Sequence, residues 1–173
     1  MLFKIVGSLL ILSASSLLGY ICSKDCARRP QELRTLQGLL QMLENEMCFL
    51  SNLLTDSFER IHKSSDSEVA RFFYSTVENL KNNEGMDAAA AWEMAVRENR
   101  SRTGLNEEDE QILISFGKML GSSDLEGQIK NIRLTLTHLR MQEQKAEEVR
   151  KKNEAMYRSL GVLGGLAVVI ILL

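Results

Sequence analysis

The sequence predicts an all-α protein: a helical bundle of six helices held between two apolar ends. Three observations lead there. Apolar residues through the middle repeat at three and four. Capping residues recur before those runs, and no stretch reads as a strand. Finally, charge is segregated. All 23 acidic and 19 of the 21 basic residues fall between Lys24 and Glu154, leaving Lys4 and Arg158 outside.

The first end, IVGSLLILSASSLLGYIC from Ile5 to Cys22, carries no charge. It covers about 27 Å as a helix, and Lys4 can snorkel to extend it. A cleaved secretory signal fits less well, because the A-x-A-like site at Ala14–Ser16 is followed by more apolar residues. Residues 1–24 are therefore expected to be a retained transmembrane anchor.

The middle opens on Pro30, the chain's one proline, which suits a first helical position. Leu33, Leu36, Leu40, Leu43, Met47 and Leu50 then give an amphipathic helix. After a break near Ser51, Leu54, Phe58 and Ile61 continue the period. Ser65 and Glu68 have capping-box spacing before Val69, Phe72, Phe73, Thr76, Val77 and Leu80. Asp87 can cap the alanine-rich helix around Trp92, and Asn106 the next, whose acidic first turn (Glu107, Glu108, Asp109) complements the helix dipole. That helix should bury Ile112, Leu113, Phe116 and Leu120 and end at Gly121.

Ser123 and Glu126 offer another capping box, before a stripe of Ile129, Ile132, Leu136 and Leu139. Beyond Arg140 the stripe fades, with Glu143 and Arg150 where leucine would be expected. Residues 141–158 should thus form a charged helical stalk about 27 Å long, after a bundle spanning 25–140.

The closing run, residues 159–173, is short for a span but follows an arm too polar to pack in a core, so lipid is its expected solvent. Gly161 with Gly165, and Ser15 with Gly19, are small-xxx-small pairs that would let helices pack closely in a membrane. Cations flank the inner side of both runs: Lys24, Arg28, Arg29 and Arg34 after the first, Lys145, Arg150, Lys151, Lys152 and Arg158 before the second. The middle is expected to face the cytoplasm.

Little in the chain reads as chemistry. There is no P-loop pattern, and the acidic excess of the middle argues against nucleic acid. Cys22, Cys26 and Cys48 form no disulfide framework, and His62 and His138 are remote from them in sequence. The acidic run at Glu107–Glu110 is explained by its place in a helix first turn. No catalytic, cofactor-binding or metal residues are expected. A partner surface is expected at Glu44 and Glu46 on the first helix and at Ser123, Asp124 and Glu126.

Leu105, Asp109, Phe116, Gly117, Leu120, Gly121, Ser123, Asp124 and Gln128, within LNEEDEQILISFGKMLGSSDLEGQ, resemble the signature of the stage III sporulation protein AB family of endospore-forming bacteria. The resemblance extends to Arg29-Pro30, LENEM at Leu43–Met47, Ala91-Trp92-Glu93 and YRSLGVLGG at Tyr157–Gly165. The family's central domain is in turn similar to the cytoplasmic domain of the inner-membrane platform protein of type II secretion and type IV pilus machines. Those proteins carry two such domains and several spans, against one domain and two spans here.

The resemblance implies a non-enzymatic platform of the mother cell–forespore channel complex. It would link a cytoplasmic secretion-type ATPase to other channel-complex membrane proteins and to membrane lipid. It would stand in the outer forespore membrane with its domain in the mother-cell cytoplasm. A single-domain copy would need to form a homo-oligomer to surround a channel axis. The alternative is a membrane-tethered regulatory scaffold that sequesters a cytoplasmic factor without transmitting force.

Overall fold

The computed structural model describes residues 27–48, 54–121 and 124–172. Among these the protein is all-helical, with six α-helices, one 3-10 turn and no strand. They are α1 (27–48), α2 (Leu54–Lys63), a 3-10 turn (Glu68–Ala70), α3 (Arg71–Asn82), α4 (Ala88–Arg100), α5 (Glu107–Gly117) and α6 (Leu125–Leu172). The chain divides into two compact units, one of them Arg29–Gln144 and the other containing α6 from Lys145 onward.

In the first unit the predicted apolar faces supply the core. Leu33, Leu36, Leu40 and Leu43 of α1 are fully buried, as are Phe58 and Ile61 of α2 and Phe72 and Phe73 of α3. Trp92 of α4 stands at the centre. Its ring lies 5.2 Å from those of Phe73 and Phe116 and 5.6 Å from Phe58. The Phe73 and Phe116 contacts are edge-to-face, the arrangement the ring quadrupole favours. The indole N–H is satisfied too, donating to the Leu113 carbonyl at 2.8 Å. Only glycine fits beside this ring, because a Cβ at Gly117 would overlap Trp92 Cδ1.

Helix ends follow their capping chemistry at α4 and α5 and depart from it at the starts of α3, α6 and α1. Asp87 Oδ1 accepts from Ala90 N at 2.7 Å, and Asn106 Oδ1 from Asp109 N at 3.0 Å. Gly121, at φ +75°, takes the left-handed conformation expected after α5. The Ser65/Glu68 box does not form. Ser65 Oγ instead accepts from Ser67 N at 3.3 Å, a local serine turn, and Glu68 pairs with Arg71 at 3.0 Å. A 3-10 turn therefore leads into α3. At α6 the cap falls to Asp124, whose Oδ1 accepts from Gly127 N at 3.0 Å; Ser123 lies outside the described residues. The start of α1 also differs from expectation. The chain is already helical at residue 27, so Pro30 does not open the helix.

The buried face of α6 departs from the predicted stripe. Ile132 and Leu139 are buried, but Ile129 and Leu136 are only half-buried, and the line is completed by Asn131, Thr135 and Gln142. Each of these polar side chains has a partner. Asn131 donates to the Phe116 carbonyl at 3.0 Å, Thr135 to the Asn131 carbonyl at 2.9 Å, and Gln142 to Glu108 at 2.9 Å. Similarly, α5 buries Ile114 where Ile112 was expected.

In the second unit α6 continues without a break to Leu172, so the charged stretch after Arg140 and the closing apolar run belong to one helix. Arg150 bonds both Glu147, at 2.7 Å, and Glu154, at 2.8 Å. Such i,i+3 and i,i+4 pairs support a helix that is polar all round. No helix among the described residues is long and apolar enough to cross a membrane. The first predicted span, with Ser15 and Gly19, lies outside the described residues, as do the side-chain surroundings of Gly161 and Gly165.

Candidate functional site

Where α1 begins, α5 begins and the polar part of α6 follows Leu139, three helices meet through charged and amide groups. Arg29 makes a two-pronged contact with Asp109: Nε donates to Oδ2 at 2.8 Å and Nη2 to Oδ1 at 3.0 Å. The same Nη2 donates to Gln142 Oε1 at 3.1 Å, and Gln142 Nε2 donates on to Glu108 Oε2 at 2.9 Å. Asp109 is fully buried, whereas the Arg29 side chain keeps 22% of its exposure. The buried carboxylate is also reached by the Asn106 backbone N–H at 3.0 Å, closing a reciprocal capping box. Paired guanidinium and backbone N–H donors make the burial of a carboxylate affordable.

The seam continues along α1. Arg34 Nε and Gln37 Nε2 both donate to Glu143, at 2.8 and 2.7 Å, so the glutamate that interrupts the leucine stripe has two partners across the seam. Glu44 accepts from Arg133 of α6 at 2.6 Å, and Glu46 accepts from Arg60 Nε of α2 at 2.9 Å. Glu32 takes the backbone N–H of Gly104, in the turn between α4 and α5. The last acid of the run, Glu110, pairs with Arg100 at 2.9 Å.

The sequence-expected partner residues are therefore dispersed. Glu44 and Glu46 join α1 to α6 and α2; Asp124 caps α6; Glu126 is exposed in the first turn of α6; Ser123 is outside the described residues. The Arg29–Asp109–Gln142 junction was not anticipated. Its members are 80 and 113 residues apart in sequence, and no local period carries such a pairing. The available signal was an aspartate three residues after an asparagine cap, a reciprocal-box spacing.

The junction's chemistry is that of a clamp. Its carboxylates are occupied by arginine and amide donors, and the described residues hold no group of three or more side chains suited to a metal ion. A depression of about 330 Å³ over α4 is lined by Ala90, Glu93, Met94, Arg97 and Glu98, all from that single helix, so no second element contributes groups to it.

The model of the stage III sporulation protein AB family matches residues 4–173. The stage III sporulation protein AB of Bacillus subtilis (strain 168) is 32% identical over 173 residues, covering 99% of this chain and 100% of that protein. The chain belongs to the stage III sporulation protein AB family. A solved structure of a stage III sporulation protein AB superposes with a TM-score of 0.67 at 30% identity, covering 72% of this chain and 98% of that one.

Much of the family-like signature is structural here. Arg29 and Asp109 form the clamp, Gly117 admits the Trp92 ring, Phe116 packs on that ring, Gly121 takes the left-handed conformation, and Asp124 caps α6. These residues specify how the bundle closes.

Proposed function

We propose that this protein is a non-enzymatic membrane platform of the sporulation mother cell–forespore channel complex. The runs 5–22 and 159–173 anchor it in the outer forespore membrane. The helical bundle lies in the mother-cell cytoplasm and receives a secretion-type ATPase there. Family membership along the whole chain, both apolar runs included, supports this reading. So do the basic residues on the inner flank of each run. The observation that carries it is the clamp. Arg29 stands shortly after the first apolar run, Gln142 opens the polar arm leading to the second, and both are held against the first turn of α5. A load on the bundle would thus be carried by charged hydrogen bonds to Arg29 and Gln142, the residues that stand toward the two runs in sequence.

The test is photocrosslinking from Glu126, exposed at the start of α6, in sporulating cells. Capture of a secretion-type ATPase or another channel component is the expected result. Capture of neither from Glu126 or its neighbours contradicts the platform. A second comparison separates it from a sequestering scaffold. Lengthening the arm at 141–158, or exchanging the last span for an unrelated anchor, should impair channel assembly; a scaffold that only captures a factor would tolerate both changes.

A further inference from the structure

We infer that this protein assembles head to tail, the outward face of α6 in one copy seating on the outward face of α4 in the next. On α6, Lys130, Leu134, His138 and Met141 follow one another by four, four and three, and all are exposed. Leu134 and Met141 keep 55% and 54% of their exposure, an apolar ridge that nothing in the bundle covers. At α4, Asp87, Ala90, Met94 and Glu98 follow by three, four and four and are exposed too. Ala90 and Met94 belong to the depression described above, which only this one helix lines. What that hollow lacks is a second wall.

Charge selects the occupant. The ridge carries a cation at each end, Lys130 before Leu134 and Arg140 beside Met141. Neither has an ion-pair partner among the described residues. The apolar stretch of α4 is bounded by acids instead, Asp87 and Glu98. The cation of the hollow, Arg97, is held by Glu93 at 2.8 Å, while Glu98 has no counterion among the described residues. A ridge with cationic ends and a hollow with acidic ends attract each other, whereas two ridges or two hollows repel. The contact is therefore heterologous.

The fold sets the two faces at one level. Helix α5 is bonded to both: Trp92 and Arg100 of α4 meet Leu113 and Glu110, and Asn131 and Gln142 of α6 meet Phe116 and Glu108. In each pair of contacts the later residue of the outer helix meets the earlier residue of α5. Helices α4 and α6 thus run the same way, with Leu134 about level with Ala90 and Met94. Both faces are exposed, so neither covers the other within one copy. The contact rests on the platform reading at one point: copies anchored in the same bilayer stand at equal height, which brings the ridge of one beside the hollow of the next. Confinement to the bilayer also raises their effective concentration. Each joined copy keeps one further face open, so the contact repeats and closes into a ring where the rotation allows.

The test uses the full chain in phosphatidylcholine vesicles, with Cys22→Ser, Cys26→Ser and Cys48→Ser. One preparation carries Leu134→Cys, and a second, lengthened by a tag, carries Met94→Cys. Mild oxidation of the two together should give a mixed dimer. Either preparation alone, or Leu134→Cys mixed with Tyr74→Cys on the exposed side of α3, should give little. Glu98→Lys should lower the mixed dimer about tenfold in the Met94→Cys chain and leave it unchanged in the Leu134→Cys chain. Lys130→Glu should do the reverse. Both sites are exposed, so these variants should keep the helical circular dichroism and melting of the parent. Absence of the mixed dimer, equal yields from one preparation alone or with Tyr74→Cys, or an equal effect of Glu98→Lys in either chain overturns the contact. Flotation of the vesicles keeps the two readings separate. If the chain floats without forming the mixed dimer, the contact fails and the membrane reading stands. If the chain stays behind in solution, the membrane reading fails, and the same crosslinks still decide the contact there.

Discussion

Two regions of the bundle solve the same problem of burial in opposite ways. Around Trp92, four aromatic side chains fill the space between α2, α3, α4 and α5. Here the stabilisation comes from area removed from water and from ring geometry, and any well-shaped apolar group contributes. At the Arg29–Asp109–Gln142 clamp, burial is tolerated only because each donor meets an acceptor. The aromatic centre should therefore respond to lost volume, and the clamp to lost partners.

The largest effect is expected at the aromatic centre. Trp92→Ala should destabilise the protein by about 3–5 kcal/mol, and Trp92→Phe by clearly less, measured by denaturant unfolding. If the two variants lose the same amount, volume is not what matters there.

The clamp should come next. Asp109→Leu alone leaves Arg29 without its carboxylate and should cost about 3 kcal/mol, near the lower end for a broken buried pair because Arg29 keeps some water. The double variant Arg29→Met/Asp109→Leu should recover most of that loss, since removing both partners leaves no uncompensated charge. Strict additivity of the two single changes would contradict the clamp.

Smaller effects lie on the helices that frame these regions. Asn106→Ala removes one half of the reciprocal cap beside Asp109 and should cost about 1 kcal/mol. Gly38→Ala should instead stabilise the folded domain by up to about 1 kcal/mol, because the site has room for a methyl group.

The smallest is a pH effect between α2 and α3. Lys81 donates to Glu59 at 2.6 Å and holds that carboxyl below its ordinary range; Glu59 in turn raises the Lys81 ammonium. A lowered carboxyl contributes stability above its ordinary pKa and loses it as pH falls through the folded value. The advantage of the parent over Glu59→Gln should accordingly be slight at neutral pH and vanish in acid. On the alkaline side it should fade as pH rises through the raised value of Lys81.

The same contrast explains what could be read from the residues alone. The leucines of α1 and the phenylalanines of α2 and α3 announce themselves by period, because burial of apolar side chains repeats with the helix. Asp87 and Asn106 were legible as caps, because a cap acts within three residues. The clamp was not, because a hydrogen bond between residues 80 apart has no local signature. Asn131, Thr135 and Gln142 were hidden for the same reason. They look like solvated positions until Phe116, Glu108 and Arg29 are brought to them. Ser65 misled in the opposite way, since its hydroxyl fits a serine turn as well as a cap. Of the expected partner surface, Glu44 and Glu46 read as free charges only while Arg133 and Arg60 were out of sight.

The platform reading requires the bundle to be membrane-bound and on the mother-cell side. Cys48 is an exposed native thiol on that bundle, and with Cys22→Ser and Cys26→Ser it becomes the only one. In sporulating cells the chain should remain in the membrane pellet after an alkaline carbonate wash. Cys48 should resist a membrane-impermeant maleimide in intact protoplasts and react once the mother-cell membrane is opened. A chain released by the wash, or a Cys48 labelled in intact protoplasts, would contradict it.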